Sequence, residues 1–295
     1  MLPEPRGDLS LTRYDLGGVR AATDAPQRAF VEHATSVLSA DERVAAAWLV
    51  GGFAVGNADA FSDVDLQVLA ARDDVAGWWR EVVDALAPTV SVRPFGAVAG
   101  GVCITPDWLH FDVVFHAPGT VDPRGVTGMV PLVDKTGVLP SQPVPRPFVP
   151  GPPFFPADAV ELFLYMLGNM VAVVGRDEVV PGMNGVTMVR DLALVGLLLA
   201  ENGIVTTREH SGGNAFAFTK RLRTYLTDEQ NAVLAALPPI APTVESVIDG
   251  YVALARAFLP RARRLAAATG AEWPEAYERA TVSYFERMTG ARIGG

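Results

Sequence analysis

The stretch from Val44 to Ala70, V-A-A-A-W-L-V-G-G-F-A-V-G-N-A-D-A-F-S-D-V-D-L-Q-V-L-A, constrains the fold more than any other part of the chain. Val44 to Val50 is an apolar run of strand length that stops at Gly51-Gly52. A short helical piece over Phe53 to Gly56 and a loop over Asn57 to Phe61 lead into a second apolar strand carrying Ser62, Asp63 and Asp65. Side chains alternate along a strand, so Asp63, Asp65 and Gln67 share one face and Val64, Leu66 and Val68 the other. Two carboxylates therefore point the same way. Like charges so placed repel, and a cation between them removes the repulsion. Carboxylate oxygens suit Mg²⁺, a hard ion that keeps several waters and takes further ligands from substrate phosphates. Glycines supply the other half, because backbone N–H groups without a Cβ can approach a polyphosphate. A helix starting after Gly52 would also turn its N-terminal dipole toward that anion. An Asp-x-Asp strand alone is more often a solvated edge; joined to the Gly-Gly turn and Ser62 it points to a Mg²⁺-nucleotide site.

Gly51-Gly52, a spacer of ten residues and Asp63-Val64-Asp65-Leu66 resemble the signature of the nucleotidyltransferase superfamily that includes DNA polymerase β. Within it, G-G-F-A-V-G-N-A-D-A-F-S-D-V-D-L looks most like the antibiotic (aminoglycoside and lincosamide) nucleotidyltransferases. The resemblance implies a third carboxylate on a nearby strand, and W-L-H-F-D-V-V-F-H, Trp108 to His116, supplies Asp112. P-L-V-D-K-T-G, Pro131 to Gly137, is similar to the apolar-Asp-Lys-x-Gly strand end that often closes this domain. The likeness is good from residue 25 to residue 140 and loose beyond.

The resemblance implies transfer of a nucleoside monophosphate, AMP from ATP or its equivalent from another NTP, onto an acceptor hydroxyl, with release of pyrophosphate. Asp63 and Asp65 would hold two Mg²⁺ ions, and Asp112 would complete the metal shell or take the proton as general base. Gly51, Gly52 and Ser62 would cradle the β- and γ-phosphates. Many relatives carry serine at the second glycine; Gly52 shifts that work onto backbone amides and Ser62. Lys220, in T-K-R-L-R-T-Y-L, resembles a lysine that some drug-modifying relatives place on the triphosphate, and reads equally as a basic residue ending a solvated helix. His110 shares a face with Asp112 and could approach the centre, although a histidine at a strand start is more often packed or capped.

At 295 residues and 49% hydrophobic content, the chain can build two cores. No apolar run is read as long enough to span a bilayer, and Met1 to Ser10 lacks a signal-peptide core, so cytoplasmic residence is expected. The single Cys103 excludes an intrachain disulfide and reads as a buried, inert thiol. A net charge of −9 argues against a broad nucleic-acid surface. Residues 1–140 hold 18 acidic against 10 basic residues and 141–295 hold 15 against 14, so the excess lies in the half with the motif. That balance would steer a cationic small molecule inward.

The expected architecture is α+β: an N-terminal mixed-sheet catalytic domain over 1–140, a Pro-rich linker over 141–156 and an all-helical domain over 157–295. Asp24 and Pro26 open a helix that ends near Ala40, and Asp73 to Leu86 is helical. Trp78 and Trp79 read as core rather than as a base-stacking platform. Strands are expected at Thr89–Val92, Gly101–Ile104 and Trp108–Phe115, the last two as a hairpin. Beyond the prolines, helices are expected over Ala157–Val174, Val186–Leu199 after a break at Gly175–Gly185, Thr227 to about Leu237, Thr243–Ala268 and Pro274 to about Met288. The acceptor is expected between the two domains, with Glu161, Asp177, Glu178 and Asp191 as candidate contacts. Modification of a tRNA end or a partner protein, or an inactive nucleotide-binding module, are the alternatives.

Overall fold

The computed structural model describes residues 21–56, 58–123, 126, 128–141, 149–205 and 222–294. The chain divides into two compact units, Met1–Phe148 and Val149–Gly295. The architecture is α+β: a mixed six-stranded sheet with helices in the first unit, and helices in the second.

In the first unit, helix α1 (Ala25–Ala40) has Pro26 in its opening turn, and its stripe of Phe30, Ala34 and Leu38 is buried. Strand β1 (Val44–Val50) leads into the single turn α2 (Gly51–Val55), then β2 (Val64–Ala70). Helix α3 (Trp79–Leu86) follows, then β3 (Ser91–Phe95), β4 (Val98–Ile104), β5 (His110–His116) and β6 (Val130–Asp134). The sheet order is β3-β4-β5-β2-β1-β6. Only β2 and β5 run parallel; the other pairs are antiparallel. Val64, Leu66, Val68, Phe111, Val113 and Phe115 form one face, which α1 and α3 cover. Each such buried side chain is worth roughly 1.5–3 kcal/mol. Trp78 and Trp79 pack on Phe115 in this core, as the sequence predicts.

Several boundaries move for local reasons. Helix α3 begins at Trp79 rather than Asp73, after Gly77, where a Cβ would crowd the Asp74 carboxylate. Strand β3 runs on through Pro94, which an edge strand tolerates because its donor is not needed. Strand β5 begins at His110 rather than Trp108, because Trp108 adopts a left-handed φ of 67°.

In the second unit, Val149 onward packs with the helices: Gly151 N–H donates to Gly203 O (2.9 Å), and Phe154 N–H to Ala200 O (3.2 Å). Helix α4 (Ala157–Gly175) is followed by α5 (Val179–Met188), a π-helical turn over Val189–Leu194 and α6 (Val195–Glu201). The expected break therefore shrinks to a few residues. Pro181 falls in the first turn of α5, where its missing N–H has no intrahelical acceptor to lose. After α7 (Leu222–Tyr225), α8 (Asp228–Ala235) opens on the predicted capping box of Thr227 and Gln230. Helix α9 (Val244–Thr269) contains Pro260 without ending there, and α10 (Glu275–Thr289) completes the unit.

Two segments here, Ala157–Gly175 and Val179–Glu201, are long and apolar enough to cross a bilayer, with mean hydropathies of 1.6 and 1.4. This corrects the expectation that no apolar run approaches that length. Both contribute to the core of the helical unit, where Val160, Phe163, Leu164, Leu167, Leu194, Leu197 and Leu198 are buried.

Candidate active site

The site is assembled by strand register. In the parallel β2–β5 pair, Asp65 stands directly opposite Asp112 and Val64 opposite Phe111. Burial alternates in both strands, so Asp65 and Gln67 of β2 share the half-exposed face with His110, Asp112, Val114 and His116 of β5. Neighbouring strands lie about 4.8 Å apart.

Strand β1 brings the glycine turn to the same place, because Val50 pairs with Asp65 and Gly51 follows at once. Gly51 has φ 66°, a region that disfavours side chains, and a Cβ built on it would collide with Asp65 Oδ2. The turn and the carboxylate are thus in contact by construction. The helix beyond is one turn long, too short to carry a macrodipole, so what it presents is backbone amides.

Asp63 lies one step before β2, and His110 reaches toward it with Nδ1 4.0 Å from Oδ2, while Nε2 lies 3.0 Å from Asp112 Oδ1. The imidazole therefore stands between two of the three acids. Sequence reading held His110 only as a possible neighbour. Alternation along β5 put it on the Asp112 face, but the register that sets it beside Asp63 has no local sequence signal. Ser62 closes the loop before β2: its hydroxyl donates to Asp59 Oδ1 (3.0 Å) and accepts from Asp59 N–H (2.9 Å). Gln27 of α1 braces the same loop through Ser62 O and Ala60 O. Lys220 and the Gly-rich loop before it lie outside the described residues.

Farther along the face, His116 stacks on Trp48 (5.8 Å, 9°) and its Nε2 lies 2.7 Å from Gln67 Oε1. Burial holds the His116 pKa below its ordinary value, so the ring is neutral and donates to the amide oxygen. Cys103 of β4 is buried; burial, helped by the charge of Asp112, pushes its thiol up to about 12, which makes it inert. Lys135, at the end of β6, donates to Asp41 O as a surface strand-end lysine.

Among the described residues, no three His, Cys, Asp or Glu side chains are grouped closely enough to enclose a metal ion by themselves. Magnesium does not need such a cage, since it binds through one or two carboxylates and completes its shell with water and substrate phosphate. An all-oxygen donor set beside a glycine cradle that a Cβ would fill is consistent with that requirement. Elsewhere, a groove of about 1060 Å³ opens between α9 and α10, lined in part by Arg256, Arg263, Trp273, Glu278 and Arg279. None of Gly51, Gly52, Ser62, Asp63, Asp65 and Asp112 lines it.

No family model matches the chain, and no curated protein matches it. Among solved structures, it is similar to an aminoglycoside 6-adenyltransferase from Bacillus subtilis. The TM-score is 0.40 at 13% identity, over 89% of this chain and 99% of that one. A likeness of that size leaves the reading of the site to its own residues.

Proposed function

We propose that the sheet unit carries a magnesium-dependent nucleotidyltransferase site. It moves a nucleoside monophosphate, AMP from ATP, onto a hydroxyl of a small acceptor of the aminoglycoside type, in the cytoplasm. The observation that carries this reading is the register match of Asp65 and Asp112 on adjoining parallel strands, with Gly51 packed against the Asp65 carboxylate.

Asp63 and Asp65 would hold the metal, with Asp112 completing the set. When bound, magnesium supplies a lowered pKa for the acceptor hydroxyl and neutralises charge on the departing pyrophosphate. The backbone amides of Gly51 and Gly52 take phosphate oxygens, and Ser62 holds the loop that sets Asp63 in place. Asp112 is the proton acceptor on the side away from the glycine turn, and His110, bonded to its Oδ1, fixes the rotamer of that carboxylate. Lys220 is assigned to the triphosphate by its resemblance to the family lysine.

Pyrophosphate release from Mg-ATP over a panel of aminoglycosides and lincosamides tests the reading directly. Acceptor-dependent release is expected with at least one aminoglycoside. Release with none of them, together with no thermal stabilisation by Mg-ATP, rejects the proposal.

A further inference from the structure

Two exposed aromatic residues lie just before the strands that carry the carboxylates. Phe61 stands three residues before Val64 and Trp108 three before Phe111, and Val64 and Phe111 are register partners. The two therefore enter the same end of the parallel pair at matching steps. Both are exposed, Phe61 at 69% and Trp108 at 78%, in a chain whose Trp48, Trp78 and Trp79 are buried. Singly exposed apolar residues are common, so the exposure gains meaning only from the backbone that holds Trp108 there.

Trp108 is also held there against its own preference. Its φ of 67° is a left-handed conformation that a bulky residue rarely adopts. The turn that imposes it is anchored by Thr105, a buried residue. Thr105 O accepts from Trp108 N–H (3.0 Å), its Oγ1 accepts from Leu109 N–H (2.9 Å), and the same hydroxyl bonds to Asp107. The Phe61 backbone is held by its own turn, its N–H donating to Asp59 Oδ1 (3.0 Å), without a left-handed φ. Strain of this kind clusters at active sites, ligand clamps and switch regions, which makes Trp108 a candidate contact.

The sheet order tells which ligand. β2 lies between β1 and β5, so the glycine turn flanks Asp65 on the β1 side and Asp112 flanks it on the β5 side. In an in-line transfer the leaving group and the nucleophile occupy opposite flanks of the phosphorus. Phosphates on the Gly51 side place the acceptor on the β5 side, where Trp108 stands. The charge of the region selects further: residues 44–71 and 94–123 contain Asp59, Asp63, Asp65, Asp107, Asp112 and Asp122 and no lysine or arginine.

We propose that Trp108, with Phe61 on the loop entering the neighbouring strand, is the acceptor platform of this site, packing its indole face on a saturated ring that carries an ammonium group. The inference rests on the nucleotidyltransferase reading for its orientation. The indole quadrupole attracts a cation held over its face, and the surrounding acidic field concentrates such molecules.

The test has two arms on the full chain. In the first, emission is titrated with kanamycin, streptomycin and spectinomycin, with maltotriose as the neutral ring control. A saturable change is expected with at least one cationic compound, absent in Trp108→Phe and absent with maltotriose. A change that survives in Trp108→Phe, an equal response to maltotriose, or no saturable change with any compound overturns the platform. In the second arm, Trp108→Ala raises the acceptor KM in pyrophosphate release about tenfold, Trp108→Phe raises it less, and the KM for Mg-ATP holds. A rise in the Mg-ATP KM instead assigns the indole to the nucleobase and overturns the proposal. Because Mg-ATP stabilisation is measured independently of acceptor, its absence alongside intact acceptor quenching rejects the transferase reading and not the platform.

Discussion

Asp65 and Asp112 of the sheet unit are placed by strand register, whereas Glu201, Glu229 and Glu278 of the helical unit are placed by arginine. Arg261, buried, bonds to Glu201 Oε2 (2.9 Å) and to Glu229, and Gln230 adds a bond to Glu201 (2.8 Å) and caps its own helix. Arg263 and the Trp273 indole N–H (2.8 Å) both bond to Glu278. Those carboxylates are neutralised on the spot and help hold helices together. The sheet carboxylates stand side by side because β2 and β5 pair in that register. Acids gathered by the backbone imply a task beyond stability; acids gathered by arginine imply packing.

This contrast is exposed most severely by Asp65→Asn. It is expected to cut pyrophosphate release by about 10²–10³-fold and abolish stabilisation by Mg-ATP, with folding retained by circular dichroism. Arg261→Ala should do the reverse. Removing the cation leaves Glu201 uncompensated, at a cost of about 3 kcal/mol read in denaturant unfolding of the helical unit, with turnover per folded molecule unchanged. A large loss of turnover there, or a large loss of stability in Asp65→Asn, breaks the comparison.

Gly51→Ala and Gly56→Ala sharpen it. Both glycines are left-handed, at φ 66° and 74°, so each alanine costs about 1–2 kcal/mol in melting experiments. Only at Gly51 does the new methyl meet Asp65; nothing lies within 4 Å at Gly56. Gly51→Ala should therefore lose activity as well, and Gly56→Ala should keep it.

The smallest effect concerns pH. Burial lowers the His116 pKa from 6.5, so the unfolded chain binds a proton that the folded one refuses between the two values. Stability from the neutral ring is complete above about 6.5 and declines as pH falls below it. Melting temperatures from pH 8 to 5 should fall less in His116→Gln than in the parent.

Much of the sheet unit was legible because its signals are local. The apolar run to Val50, the glycine turn, the alternation over Val64–Val68 and the hairpin into β5 all follow from side-chain period and turn residues. The short helix at Asp228 was readable from Thr227 and Gln230 for the same reason. Boundaries failed where a neighbour outvoted propensity: Pro94 stays in a strand because the strand is an edge, and Trp108 leaves one because Thr105 captures the turn. The segment Val179–Glu201 escaped notice as span-length because Pro181 and the nearby glycines read as a break, whereas Ala157–Val174 was already read as one helix.

By itself the sequence determined which residues share a face of each strand, since alternation needs no knowledge of partners. Only the tertiary structure decided that Asp65 meets Asp112 step for step, that Gly51 touches the Asp65 carboxylate, and that His110 bridges Asp112 and Asp63. Register between strands separated by some forty residues is set by the packing of Phe111, Val113, Leu66 and Val68 against two helices, and no local pattern encodes it.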